Sequence, residues 1–210
     1  MVTSLDDAAR GQPRPVERFW NLPNTITLLR AAAVPVLLLF PLAASSRLGS
    51  QLLAWLFIAA ALTDLVDGWL ARRGQQVTRI GKLLDPLADK LLVATSLIVL
   101  LAAGRIPTWG TAMVVVIIGR ELAVTGLRGF ASAHGHIMAA VWQGKVKAVF
   151  QNVATGALLF PDPQFGLPAH AIGLAFLVAA TVLTLWSGYG YFARYFNAAA
   201  GGDTLAEDRR

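Results

Sequence analysis

The sequence predicts an all-α integral membrane protein with six transmembrane helices and both termini in the cytoplasm. Three observations predict it. Of its 210 residues, 56% are hydrophobic and only 14% are charged, against about 25% charged in an average soluble domain. The apolar residues gather in blocks of the length a helix needs to cross a bilayer, about 20 residues. The basic residues fall almost entirely on one side of those blocks.

The blocks lie at about 25–44, 51–72, 83–103, 108–128, 138–160 and 168–195. The first opens at Asn24, a good helix cap, behind Pro23. The fifth and sixth are parted by Pro161, Asp162, Pro163 and Gly166, a run that breaks a helix. No strand pattern competes, and no internal repeat or second domain is visible. Residues 1–20 read as a polar cytoplasmic or interfacial segment. With Asp6, Asp7 and Glu17 and no short apolar core, they do not resemble a signal peptide. Residues 21–196 form the six-helix domain, and 197–210 a small, polar C-terminal tail.

Six spans put both termini, the 72–82 loop and the 128–137 loop on one side. Of the 18 Lys and Arg residues, all but Arg47 and Arg105 fall on that side or on the adjoining helix ends. The positive-inside rule makes it cytoplasmic. It also accounts for the net charge of +6 without nucleic acid as a partner. With no cysteine, disulfides and thiolate metal sites are excluded.

Ionisable groups inside a span are costly, and each is a functional hypothesis. Span two ends in Thr63-Asp64-Leu65-Val66-Asp67-Gly68-Trp69-Leu70-Ala71-Arg72. Positions 64, 67, 68 and 71 share one helix face. Two carboxylates there stand beside two residues with almost no side chain, which suits a ligand that approaches the backbone closely. Span three opens with Gly81, and Asp85 and Asp89 follow at intervals of four on one face. Pro86 leaves the start of that helix open between a cap at Asp85 and a kink one turn in. Spans two and three are antiparallel neighbours, so the four carboxylates sit at one cytoplasmic depth. Facing one another they would repel unless cations lie between them. An all-oxygen donor set prefers a hard ion, Mg²⁺ or Mn²⁺, and two such ions suit phosphoryl-group chemistry.

Taken singly, these residues have ordinary explanations: an Asp pair at a helix end is usually a cap or a solvated face, and Asp-Pro usually starts a helix. The whole string is another matter. Its eight specified positions occur by chance with a probability of about 10⁻¹⁰ per start. Asp64, Asp67, Gly68, Ala71, Arg72, Gly81, Asp85 and Asp89 resemble, in identity and spacing, the signature of the CDP-alcohol phosphatidyltransferase family. The resemblance implies six spans, a homodimer in the bacterial cytoplasmic membrane, and an active site facing the cytoplasm. It implies that Asp64, Asp67, Asp85 and Asp89 bind two divalent ions. Asp89 would also act as general base on the acceptor hydroxyl, which attacks the β-phosphorus of CDP-diacylglycerol and releases CMP. Gly68, Ala71, Arg72 and Gly81, with Asn24 and Thr27 of the first span, would line the site of the CDP-lipid.

The flanks from Asn21 to Arg30, from Gly81 to Val93, and around Arg120-Glu121, Arg128, Gly144 to Lys147 and Gln151 resemble the branch of the family whose acceptor is glycerol 3-phosphate. The residues support that acceptor independently. Arg120, Arg128, Lys145 and Lys147 cluster near the cytoplasmic ends of spans four and five, and a dianionic phosphate wants several cations. Their ordinary reading is as positive anchors that snorkel to membrane lipid headgroups, strongest for Arg128 and Lys147. His134 and His136 read as solvated loop residues. Trp20, Trp69 and Trp142 read as interfacial belt residues. The nearest rival is another synthase of the family, making cardiolipin, phosphatidylserine or an inositol phosphate lipid. A rival of a different class is a divalent-metal transporter, which would set its carboxylates at the midplane between repeated halves.

Overall fold

A computed structural model describes residues 22–73, 79–133 and 142–200. All regular structure among them is helical. The helices are α1 Leu22–Leu37, α2 Phe40–Ala43, α3 Arg47–Arg73, α4 Arg79–Ala102, α5 Thr111–Ala133, α6 Trp142–Leu159 and α7 Ala169–Ala200, with a 3₁₀ turn at Thr108–Gly110 before α5.

The six long helices fall on the six apolar blocks, with corrections at their ends. The first block is broken: α1 stops at Leu37, and a turn closed by Leu39 N–H donating to the Val36 carbonyl leads into the single turn α2. Pro35 inside α1 and Pro41 at the start of α2 each remove a backbone donor there, which is why one helix does not run through. Helix α4 begins at Arg79, so Asp85 is no cap and Pro86 lies in the helix interior. Helix α5 runs past 128 to Ala133, and α7 enters the expected tail as far as Ala200. By length and composition, Thr108–Ser132 and Ala169–Asn197 can cross a membrane, while Asn24–Leu37 and Arg47–Thr63 are shorter apolar helices.

The core is one apolar cluster drawn from α1 through α7, with Leu37, Phe40, Phe57, Leu97, Leu100, Ile117, Leu158 and Leu177 at its centre. Helices α6 and α7 pack closely because Gly173 lies on Leu158. A Cβ at Gly173 would stand 2.6 Å from the Leu158 Cγ. Small residues of this kind let apolar helices approach backbone to backbone. Buried hydroxyls are satisfied within their own helices: Ser96, Thr155, Thr181 and Thr184 each donate to the carbonyl four residues back.

Two polar layers bound this core. In one, Arg105 donates to the carbonyl of Phe160 at 3.1 Å and to Ser50 Oγ at 3.2 Å. The Arg105 carbonyl meets His170 Nε2 at 2.7 Å, and Gln51 donates to Gln164 at 3.1 Å. This layer ties together the connections after α2, α4 and α6. The opposite layer holds the candidate site. Helix α1 shows the change along a single stripe. Its buried residues read Asn24, Thr27, Arg30, Ala33 and Leu37, polar at the start and apolar at the end.

Candidate functional site

The site layer is assembled from the first turns of α1, α4 and α6 and the later turns of α3, α5 and α7. The side chains of Asp64, Asp67, Gly68, Ala71 and Arg72 lie outside the described residues, although their backbone belongs to the last turns of α3. Asp85 and Asp89 stand one turn apart on α4. Gly81 and Asn24 are buried at the starts of α4 and α1.

Asp85 is held from α1. Arg30 is fully buried and donates from Nη1 to Asp85 Oδ1 at 2.9 Å. Thr27 donates to the same oxygen at 3.4 Å. The Arg30 Nε also reaches the carbonyl of Ala60 on α3, at 3.4 Å, so one guanidinium ties α1 to both carboxylate-bearing helices. Arg30 is therefore a structural counter-charge. The Asp85 side chain remains 46% exposed, so this held carboxylate still faces outward.

Asp89 opens a chain of alternating charges. Lys90 Nζ donates to Asp89 Oδ2 at 3.0 Å and to Glu121 Oε2 at 2.7 Å. Arg120 Nη1 donates to Glu121 Oε1 at 3.0 Å, and Lys147 donates to the same oxygen. Three cations against two carboxylates leave this cluster with one net positive charge. Glu121 is buried on α5 and joins α4, α5 and α6. Sequence reasoning passed over it as the neighbour of Arg120, although a lone acid in an apolar span is itself a signal.

The structure separates the four expected phosphate ligands. Lys147 is only 3% exposed and paired, so it is not a headgroup anchor. Arg120 is turned toward α7: Nη2 donates to Ser187 at 3.0 Å, and its guanidinium lies 5.5 Å from the centre of the Tyr191 ring. It fits there because Gly188 presents no side chain; a Cβ would stand 3.2 Å from the Arg120 Cγ. Arg128 and Lys145 are exposed. Of the three tryptophans expected in the interfacial belt, Trp142 is exposed, and the side chains of Trp20 and Trp69 lie outside the described residues, as do His134 and His136.

A cavity of about 90 Å³ lies between α4, α5 and α6, walled by Asp89, Lys90, Glu121, Lys147, Gln151 and Asn152 on its polar side. It joins two carboxylates, two ammonium groups and two carboxamides in one enclosure. Among the described residues no three acids or histidines converge on a metal position. Asp85 and Asp89 are two of the four expected ligands, and their donor chemistry fits a hard divalent ion: all oxygen, on one face, each with an oxygen engaged by a cation of the protein.

An acidic α4 face beside a basic cavity, in a bundle of apolar helices, defines the class. The family model for CDP-alcohol phosphatidyltransferase matches residues 20–186, and the chain belongs to that family of membrane enzymes. It is 41% identical over 190 residues to a CDP-diacylglycerol–glycerol-3-phosphate 3-phosphatidyltransferase of Bacillus subtilis, covering 85% of this chain and 97% of the relative. It is 40% identical over 179 residues to a probable phosphatidylglycerophosphate synthase of Mycobacterium tuberculosis, covering 84% and 82%. A relative from Pectobacterium atrosepticum, with the same name as the Bacillus protein, is 38% identical over 185 residues and covers 86% and 95%.

Proposed function

We infer that this enzyme transfers the phosphatidyl group of CDP-diacylglycerol to glycerol 3-phosphate, giving phosphatidylglycerol phosphate and CMP. The observation that carries the reading is that Asp89, Lys90 and Lys147 wall one cavity. A base and the cations for an anionic acceptor stand together there. The names of the relatives support the same pair of substrates.

Asp64, Asp67, Asp85 and Asp89 would hold two divalent ions, Mg²⁺ or Mn²⁺. Bound ions supply charge neutralisation on the diphosphate of the CDP-lipid. The remaining work falls to the chain itself. Arg30 and Thr27 fix Asp85. Lys90 orients Asp89, which takes the proton of the acceptor hydroxyl as the new oxygen–phosphorus bond forms and the bond to CMP breaks. Lys90 and Lys147 bind the acceptor phosphate, with Glu121 setting their separation. Arg128 and Lys145, exposed on the same layer, draw the dianion in. Arg120 braces Glu121 against α7. Gly68, Ala71, Arg72, Gly81, Asn24 and Thr27 would line the CDP-lipid side. Six spans, cytoplasmic termini, a bacterial inner-membrane location and a homodimer complete the reading. The absence of a visible repeat and the position of the carboxylates near one end of the bundle speak against a transporter, and family membership agrees.

The test is to incubate the purified protein with CDP-diacylglycerol, Mg²⁺ and, separately, glycerol 3-phosphate, glycerol, serine, inositol phosphate and phosphatidylglycerol, and to measure CMP release. Release is expected with glycerol 3-phosphate. Release with another acceptor and none with glycerol 3-phosphate would overturn the acceptor and leave the family standing.

A further inference from the structure

Gln151 follows Lys147 by one turn of α6, and each is 3% exposed. The Gln151 Oε1 is a buried acceptor with no hydrogen-bond partner. Nearby buried hydroxyls place their protons on their own helix carbonyls, as Thr155 does by donating to the Gln151 carbonyl at 2.9 Å, but a carboxamide oxygen can only accept. The Gln151 carboxamide oxygen has no such solution, and an unpaired buried acceptor is costly enough to call for an explanation. Gln151 is one of the residues that wall the cavity of Asp89, Lys90 and Lys147. The other buried unpaired side-chain atom among the described residues, Arg120 Nε, lies against Gly188 on α7 and belongs to the brace.

The chemistry of the acceptor explains such an oxygen. A phosphate dianion offers acceptors only. It can satisfy the ammonium groups of the cavity and can do nothing for Gln151 Oε1. A hydroxyl donates. Glycerol 3-phosphate has two: the primary one, whose proton goes to Asp89, and a secondary one that does not react. Within the reading above, on which this inference rests, the secondary hydroxyl enters a small polar cavity and needs an acceptor there. We propose that Gln151 accepts a hydrogen bond from the non-reacting secondary hydroxyl of the acceptor, and so makes the enzyme select a phosphorylated glycol with adjacent hydroxyls over one that lacks the second. Gln151 is a specificity-determining and positioning residue, placed to turn the primary hydroxyl toward Asp89.

The probe is 3-hydroxypropyl phosphate, which keeps the phosphate and the primary hydroxyl and lacks the secondary one. In the wild-type enzyme kcat/KM for glycerol 3-phosphate should exceed that for the probe by roughly 10- to 100-fold, the range expected for one buried hydrogen bond. Gln151→Met removes the acceptor at similar volume and should bring the two substrates to within about threefold of each other, since only the hydrogen-bonded substrate loses a partner. Gln151→Asn withdraws the oxygen by one methylene and carries the same expectation should the methionine variant fail to fold. Gln151→Glu keeps an acceptor oxygen and should keep the selectivity. Equal use of both substrates by the wild-type enzyme overturns the inference. So does a parallel loss on both in Gln151→Met and Gln151→Asn, which marks a merely structural role. Absence of turnover with glycerol 3-phosphate in the wild-type enzyme, with CMP released to another acceptor, overturns the acceptor reading beneath it instead.

Discussion

Replacing Glu121 with Gln keeps the shape of the side chain and removes its charge. Glu121 Oε1 accepts from Arg120 at 3.0 Å and from Lys147, and Oε2 accepts from Lys90 at 2.7 Å. In the variant an amide nitrogen faces an ammonium, donor to donor, and three cations lose the charge between them. Removing one partner of a buried ion pair costs about 3–5 kcal/mol. The Lys90 side chain is 33% exposed, so solvent screens its share, and about 3 kcal/mol is the better figure. At about 2–4 °C per kcal/mol for a chain of this size, the apparent unfolding midpoint should fall by about 6–12 °C. Tryptophan fluorescence of the purified protein in one detergent would read it for the wild type, Glu121→Gln, Lys147→Met and the double variant. Removing the ammonium that faces the new amide should recover part of the loss, so the double variant should fall short of the sum by about 0.5–3 kcal/mol. A midpoint within about 1 °C of wild type for Glu121→Gln, or strict additivity in the cycle, would refute the claim that Glu121 is the counter-charge of this cluster.

Asp64→Asn, Asp67→Asn and Asp85→Asn should each abolish CMP release while the protein still inserts. Excess chelator should do the same to the wild type, with Ca²⁺ a poor substitute for Mg²⁺ because it holds looser geometry. Near wild-type turnover in any of the three variants, or under chelation, would contradict the metal reading. Asp89→Asn should slow turnover by about 10²- to 10⁴-fold with a smaller change in CDP-lipid affinity. Equal losses in the two measurements would make Asp89 a metal ligand and not a base. Lys147→Ala should raise KM for glycerol 3-phosphate more than Lys145→Ala does, with KM for CDP-diacylglycerol little changed in either. The reverse order in steady-state kinetics would place the phosphate outside the cavity.

The helices and the placing of Asp85 and Asp89 one turn apart on α4 were legible because strong local signals agreed. Apolar blocks of span length and the spacing of Gly81, Asp85 and Asp89 each point the same way. Helix boundaries were missed, or left open, where two backbone rules compete. At residues 35–41 two prolines outweigh an unbroken apolar run, and the helix divides. At Pro86 the familiar Asp-Pro start gives way to a helix already under way from Arg79, where α4 packs on α1 and Arg30 holds the adjacent Asp85.

The basic residues were harder to read, and the reason lies in the solvent. A soluble helix announces its buried side by the contrast of apolar and polar faces. In a lipid-facing bundle both sides are apolar, and that contrast is lost. Depth survives. At a rise of 1.5 Å per residue, Lys90 lies about 10 Å into its block, Glu121 about 10 Å from the end of its own, and Lys147 about 13 Å into the next. That these three charges share one layer follows from the block boundaries alone. Rotation does not survive. Lys145 and Lys147 differ little in depth, yet two residues turn a helix by about 200°. One side chain is exposed, and the other is sealed against Glu121. A sequence can therefore give the layer of a charge in a membrane bundle, while its direction has to come from a counter-charge in the same layer. Here Glu121 was that counter-charge, present in the sequence as the single acid of its span.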